Sequence, residues 1–156
     1  MYERILVPLD GSKIGEAALP YIEELVSKLP PEPKVEVTLL QVVSSMAHWI
    51  IAGEATAKVA YTEEEMKQIT GKALDYLNRS GESLRSRGAV VKVEVRTGRA
   101  ADEIIKCADE IKADLVAMST HGRSGITRWA FGSVTIRVLQ SGTVPILTVR
   151  APTEAE

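Results

Sequence analysis

Five short apolar runs, Ile5–Leu9, Val35–Val43, Ala89–Val95, Leu115–Met118 and Val144–Val149, alternate along this chain with segments of helical period. Runs of this length, bounded by turn residues and rich in β-branched and aliphatic side chains, read as buried strands. Strands that alternate with helices build a parallel sheet covered on both faces, and right-handed crossovers leave few topologies. The first intervening helix is expected from Ile14 to Leu29, with Pro20 inside the pattern as a kink and Pro30-Pro-Glu-Pro33 as the stop. Thr62-x-x-Glu65 reads as a capping box opening one long helix that ends near Arg87-Gly88. A third helix is expected over Gly98–Lys112 and a fourth over Ser133–Ser141, while Ser44–Tyr61 has no period and is expected as a variable loop.

The chemistry concentrates after the fourth run, in Ser119-Thr-His-Gly-Arg-Ser-Gly-Ile-Thr-Arg-Trp-Ala-Phe-Gly-Ser133. A strand that ends in a glycine-bearing loop before a helix start is a natural phosphate site. Glycine lets the backbone approach an anion, and the first helical turn offers unpaired N–H groups at the positive end of its dipole. The same residues, Gly122, Gly125, Gly132 and Ser133, also read as a flexible loop and an ordinary serine N-cap. The spacing matches neither the Walker loop nor Gly-x-Gly-x-x-Gly.

Ser119-x2-Gly122-x9-Gly132-Ser133 resembles the Gly-x2-Gly-x9-Gly-Ser/Thr motif of the nucleotide-binding universal stress proteins, with serine at the first glycine. Ile5-Leu-Val-Pro-Leu-Asp-Gly-Ser12 is similar to that family's opening strand and turn. Ala113–Gly122, Gly132-Ser-Val-Thr135 and Val144–Arg150 are similar to its second half. The resemblance covers almost the whole chain. It implies a sheet of order 3-2-1-4-5, in which strands one and four are neighbours where the winding reverses, the place where such sheets bind ligands.

The resemblance also implies an adenine nucleotide, ATP, as ligand, with Mg²⁺ as a companion of the phosphates. Asp10 would accept hydrogen bonds from the nucleoside; the alternative is that it caps the first helix. Pro8 and Leu9 would shape the adenine edge, Val42 and Val43 would meet the base through main-chain groups, and Met118 would pack near it. Gly122 and Gly132 would admit the phosphates, with Ser119, Arg123, Gly125, Ser133, Val134 and Thr135 completing the site. Arg128 is either a second phosphate contact or a solvated charge. Trp49-Ile50-Ile51 and Trp129-Ala-Phe131 either fold onto the core or form a lid or partner surface.

Composition narrows the remaining classes. Nineteen basic against 21 acidic residues give a net charge of −2, which supplies no basic field for nucleic acid or anionic membrane. A lone Cys107 at helical spacing from Ile104 and Ile111 reads as a buried small hydrophobe, and with two distant histidines gives no metal signature. No run has the length of a membrane span or the form of a signal peptide, so a cytoplasmic chain with a single domain over 1–156 and a tail at 151–156 is expected. The glycine loop carries no carboxylate to hold a metal or water, and His121 is its only acid–base candidate. A nucleotide-dependent switch with slow or no hydrolysis is therefore expected. The alternatives are an ATP hydrolase or adenylyl-transfer enzyme, and a dimerising protein that has lost nucleotide binding. If the last run is an edge strand, its apolar Val144–Val149 is expected to pair with a second copy.

Overall fold

The computed structural model describes residues 2–43, 47–53, 55–121 and 132–151. Five parallel strands form the sheet: β1 (Arg4–Pro8), β2 (Glu36–Val43), β5 (Val90–Thr97), β6 (Leu115–Ser119) and β7 (Ile146–Val149). Their spatial order is β5-β2-β1-β6-β7. Counting only these strands, that is the expected 3-2-1-4-5. One face packs Ile5, Val7, Val37 and Leu39 against α1 (Leu19–Lys28), α2 (Glu63–Ser80) and α3 (Glu82–Ser86). The other packs Leu6, Leu40 and Val116 against α4 (Ala100–Glu110) and α5 (Ser133–Ser141). Both faces of the central strands are thus buried, which accounts for their unbroken apolar runs.

Three expectations about the helices are corrected. Pro20 does not kink a helix interior. A 3-10 turn, Ile14–Ala18, precedes α1, and Pro20 sits in the first turn of α1, where a missing N–H is no loss. The long helix after Thr62 has its capping box, with Glu65 N–H donating to Thr62 Oγ1 at 3.1 Å and Thr62 N–H to Glu65 Oε2 at 2.7 Å. It breaks at Gly81 into α2 and α3, however. A Cβ at Gly81 would lie 2.8 Å from Val91 Cγ1, so the chain there runs close against β5. The cap of α5 is Gly132, not Ser133, which is the first helical residue.

The segment 44–61, expected as a loop, holds an antiparallel hairpin of β3 (Ala47–Ala52) and β4 (Ala55–Ala60). Ala52 pairs with Ala55, and Gly53 has φ of +66°, the sign that tight hairpin turns require. All six β4 residues are exposed, so the hairpin carries no apolar alternation there to betray it.

Arg96 fastens the carboxyl end of β5 to α4. Its guanidinium donates to Glu94 at 2.6 Å and to Glu110, and lies 3.7 Å from Glu103. Cys107 is fully buried beside it, and burial raises its thiol pKa to about 11. The reading of Cys107 as a small hydrophobe stands. Among the described residues no helix is long and apolar enough to cross a membrane.

Candidate functional site

The crevice lies where β1 and β6 run side by side and the winding reverses. β1 ends at Pro8, and Asp10 follows in a tight turn. Asp10 Oδ1 accepts from Ser12 N–H at 2.9 Å and from Ser12 Oγ at 2.6 Å, while Ser12 Oγ accepts from Gly15 N–H at 3.1 Å. The carboxylate therefore orients the turn, and the serine hydroxyl rather than the aspartate reaches the start of the helix. Sequence reading missed Gly15, whose bare Cα makes room for that carboxylate. A Cβ at that position would lie 2.3 Å from Asp10 Oδ1.

Glu16 continues this wall. It accepts from the Tyr76 hydroxyl of α2 at 3.0 Å and pairs with Lys13 at 3.1 Å. Burial and the adjacent Glu16 carboxylate hold the Tyr76 phenol well above its ordinary pKa. The 3-10 turn that follows Asp10 is thereby tethered to the helix layer.

On the β2 side, the main-chain groups separate two residues that sequence reading treated alike. Leu40 C=O accepts from Leu9 N–H at 2.8 Å, and Val43 C=O accepts from Gly98 N–H at 3.1 Å. Peptide groups alternate sides along a strand, so Val42 directs its N–H and C=O toward the β1 side, beyond the point where β1 ends. Val43 faces β5 and is already engaged. The two residues thus differ in which side of β2 their main-chain groups face.

The side chains of Leu9 and Met118 belong to the core, the first under α1 and the second under α4 and α5, and Val134 packs against the second cluster. Pro8 is half-buried at the strand end. Ser119, which stands where the resemblance expects glycine, is 6% exposed, and its hydroxyl accepts from His121 N–H at 3.4 Å.

The helix side of the crevice is built from Thr120, Gly132 and Thr135. Gly132 N–H donates to Thr120 C=O at 2.7 Å, and the buried Thr135 hydroxyl donates to Ser119 C=O at 3.0 Å. Between them Ser133 is exposed, and among the described residues no side chain caps the first turn of α5. That turn retains the donors and positive dipole end suited to an anion. His121 Nδ1 lies 3.0 Å from Thr120 Oγ1, and its buried Nε2 has no partner among the described residues. Gly122, Arg123, Gly125, Arg128 and Trp129–Phe131 lie outside the described residues, as does the tail from 152 on.

A groove of about 680 Å³ lies elsewhere, at the amino ends of β1 and β2, lined by Arg4, Glu36, Thr38, Lys92 and Glu94. Within it Lys92 lies 2.7 Å from Glu36, and Glu94 pairs with Arg96 at 2.6 Å. It stands at the opposite end of the strands from the crevice, where this sheet type does not bind ligands. No group of three or more His, Cys, Asp or Glu suited to a metal occurs among the described residues.

The universal stress protein family model matches residues 1–150. The chain is 29% identical over 159 residues to universal stress protein MJ0577 of Methanocaldococcus jannaschii, covering 96% of each chain. The solved structure of MJ0577 superposes with a TM-score of 0.77, covering 99% of each chain. The same fold recurs in a universal stress protein solved in complex with cAMP, with TM-score 0.66, 18% identity and coverage of 97% of this chain and 98% of that one. It recurs again in the Archaeoglobus fulgidus universal stress protein in complex with dAMP, with TM-score 0.63, 18% identity and coverage of 95% and 98%. With its sheet order, crevice and matched length accounted for, the chain belongs to the universal stress protein family.

Proposed function

We propose that this protein is an adenine-nucleotide-binding module, with ATP as its ligand, that works as a nucleotide-dependent switch rather than as a dedicated enzyme. The observation that carries the reading is the first turn of α5, held beyond the end of β6 by the 2.7 Å bond from Gly132 N–H to Thr120 C=O, next to the sheet reversal and without a side-chain cap from the described residues. The cAMP and dAMP complexes of proteins sharing this fold support an adenine nucleotide at such a crevice. In this reading Val42 pairs with the base through its main chain and Asp10 receives the nucleoside. The N–H groups of Ser133 and Val134 hold the phosphates, together with the Ser133 hydroxyl and the Gly122–Gly125 segment. Mg²⁺ accompanies the phosphates without a protein cage. Ser119 is 6% exposed and its hydroxyl accepts from His121 N–H, which supports binding despite the serine at this position.

Hydrolysis should be slow. Phosphoryl transfer depends on positioning and charge neutralisation, commonly with a residue that orients the attacking water. Residues 119–121 and 132–135, at the end of β6 and the start of α5, offer hydroxyls and His121 but no carboxylate. Single-turnover measurement with Mg²⁺-ATP, repeated with His121→Ala, tests this. A rate well below the roughly 10 per second typical of enzymes, unchanged in the variant, fits a switch. A rate above about one per second that collapses in the variant would mark an enzyme.

The same reading takes the single domain over 1–156 to be cytoplasmic and dimeric. β7 is an edge strand with Leu147 exposed, and Val144–Val149 would pair with its copy about a two-fold axis. Sedimentation equilibrium decides the dimer, and a persistent monomer at tens of micromolar would remove it.

A further inference from the structure

We infer that Thr135 is a positioning residue whose hydroxyl locks the first turn of α5 to the end of β6, and so sets where that turn presents its N–H groups. The inference rests on the nucleotide-binding reading above and gives Thr135 a part in it without ligand contact. A threonine hydroxyl inside a helix ordinarily bonds back to its own preceding turn. Here it is directed out of the helix, to Ser119 C=O at 3.0 Å, sixteen positions back in the chain, with a longer approach of 3.5 Å to Thr120 C=O.

The reason lies in the sheet. Thr120 N–H donates to Val149 C=O at 2.9 Å, so by alternation the groups of Ser119 face the β1 side. β1 has already ended at Pro8, and the ladder cannot satisfy that carbonyl. Thr135 supplies the missing donor from a site only 3% exposed, where water cannot readily replace it. Thr120 C=O in turn accepts from Gly132 N–H at 2.7 Å. Strand end and helix start are thus joined by two direct bonds. The strand holds the helix start directly.

Thr135→Val keeps the shape and removes the bond, and Thr135→Ser restores the hydroxyl. Binding of ATP and of adenosine to both variants and to the unaltered protein separates a positioned phosphate site from general damage. Thr135→Val should weaken ATP at least tenfold and leave adenosine within about twofold, and Thr135→Ser should recover most of the ATP affinity. ATP affinity unchanged in Thr135→Val, or ATP and adenosine weakened alike, would overturn the assignment. If the unaltered protein binds neither ligand, the nucleotide reading fails by itself. Amide hydrogen exchange over Ser133–Arg137 then judges the lock: faster exchange in Thr135→Val supports it, and unchanged protection refutes it.

Discussion

Gly15 and Asp10 share one space: a Cβ on the glycine would come within 2.3 Å of the carboxylate Oδ1 that Ser12 holds through its N–H and hydroxyl. Alanine at position 15 must therefore turn the Asp10 side chain away from Ser12. If Asp10 receives the nucleoside, Gly15→Ala should weaken ATP and adenosine together by about five- to tenfold, roughly 1–1.4 kcal/mol. Competition binding with both ligands checks it. Equal affinity in the variant would separate Asp10 from the site.

Asp114 accepts from the N–H groups of Glu3 and Arg4 at 3.0 and 2.8 Å, and fixes the start of β1 beside β6. Although partial burial opposes it, these two donors and the nearby positive charge hold its pKa below the ordinary 3.8. A depressed folded-state value means that the ionised form is the one the fold favours. Its contribution is fully present above about pH 3.8 and is lost as pH falls through the lower folded value. Asp114→Asn should be less stable than the parent at neutral pH, and the gap should close in strong acid. Urea midpoints at pH 7 and below pH 3 measure both limits; a gap independent of pH would contradict the assignment.

How far such features were legible depended on whether the signal was local. The buried central strands announced themselves because both faces pack, and Thr62-x-x-Glu65 because a capping box is complete within four residues. The hairpin 47–60 was not legible, since β4 is Ala-rich and wholly exposed. Gly15, Gly81 and the bond from Thr135 to Ser119 were invisible for another reason: each answers to a neighbour brought near by the fold. Asp10 and Gly132 were legible as candidates from the motif, but the difference between Val42 and Val43 required knowing where β1 stops.

Two glycines of α2 and its C-cap should respond oppositely to alanine. A Cβ at Gly71 would meet nothing within 4 Å, so Gly71→Ala should stabilise by about 0.5–1 kcal/mol through helix propensity and a less flexible unfolded chain. At Gly81 the added atom would press on Val91 Cγ1 at 2.8 Å, and the crowding should destabilise by about 1–3 kcal/mol. Urea unfolding of both variants compares them, and a shared sign would contradict the packing described between α2, α3 and β5.

Cys107 should be inert while the protein is folded. Its thiol is fully buried against Glu94, and its pKa of about 11 leaves little thiolate at neutral pH. Modification by a thiol reagent at pH 8 should be at least a hundredfold slower in the native protein than in denaturant. Comparable rates would place the thiol at the surface.

The nucleotide reading is met most directly by calorimetric titration of protein confirmed free of bound nucleotide, using ATP and GTP in parallel. Saturable heat with ATP, and binding at least tenfold weaker with GTP, is the expected result, in keeping with the cAMP and dAMP complexes of proteins that share this fold. No heat with either nucleotide would contradict the account.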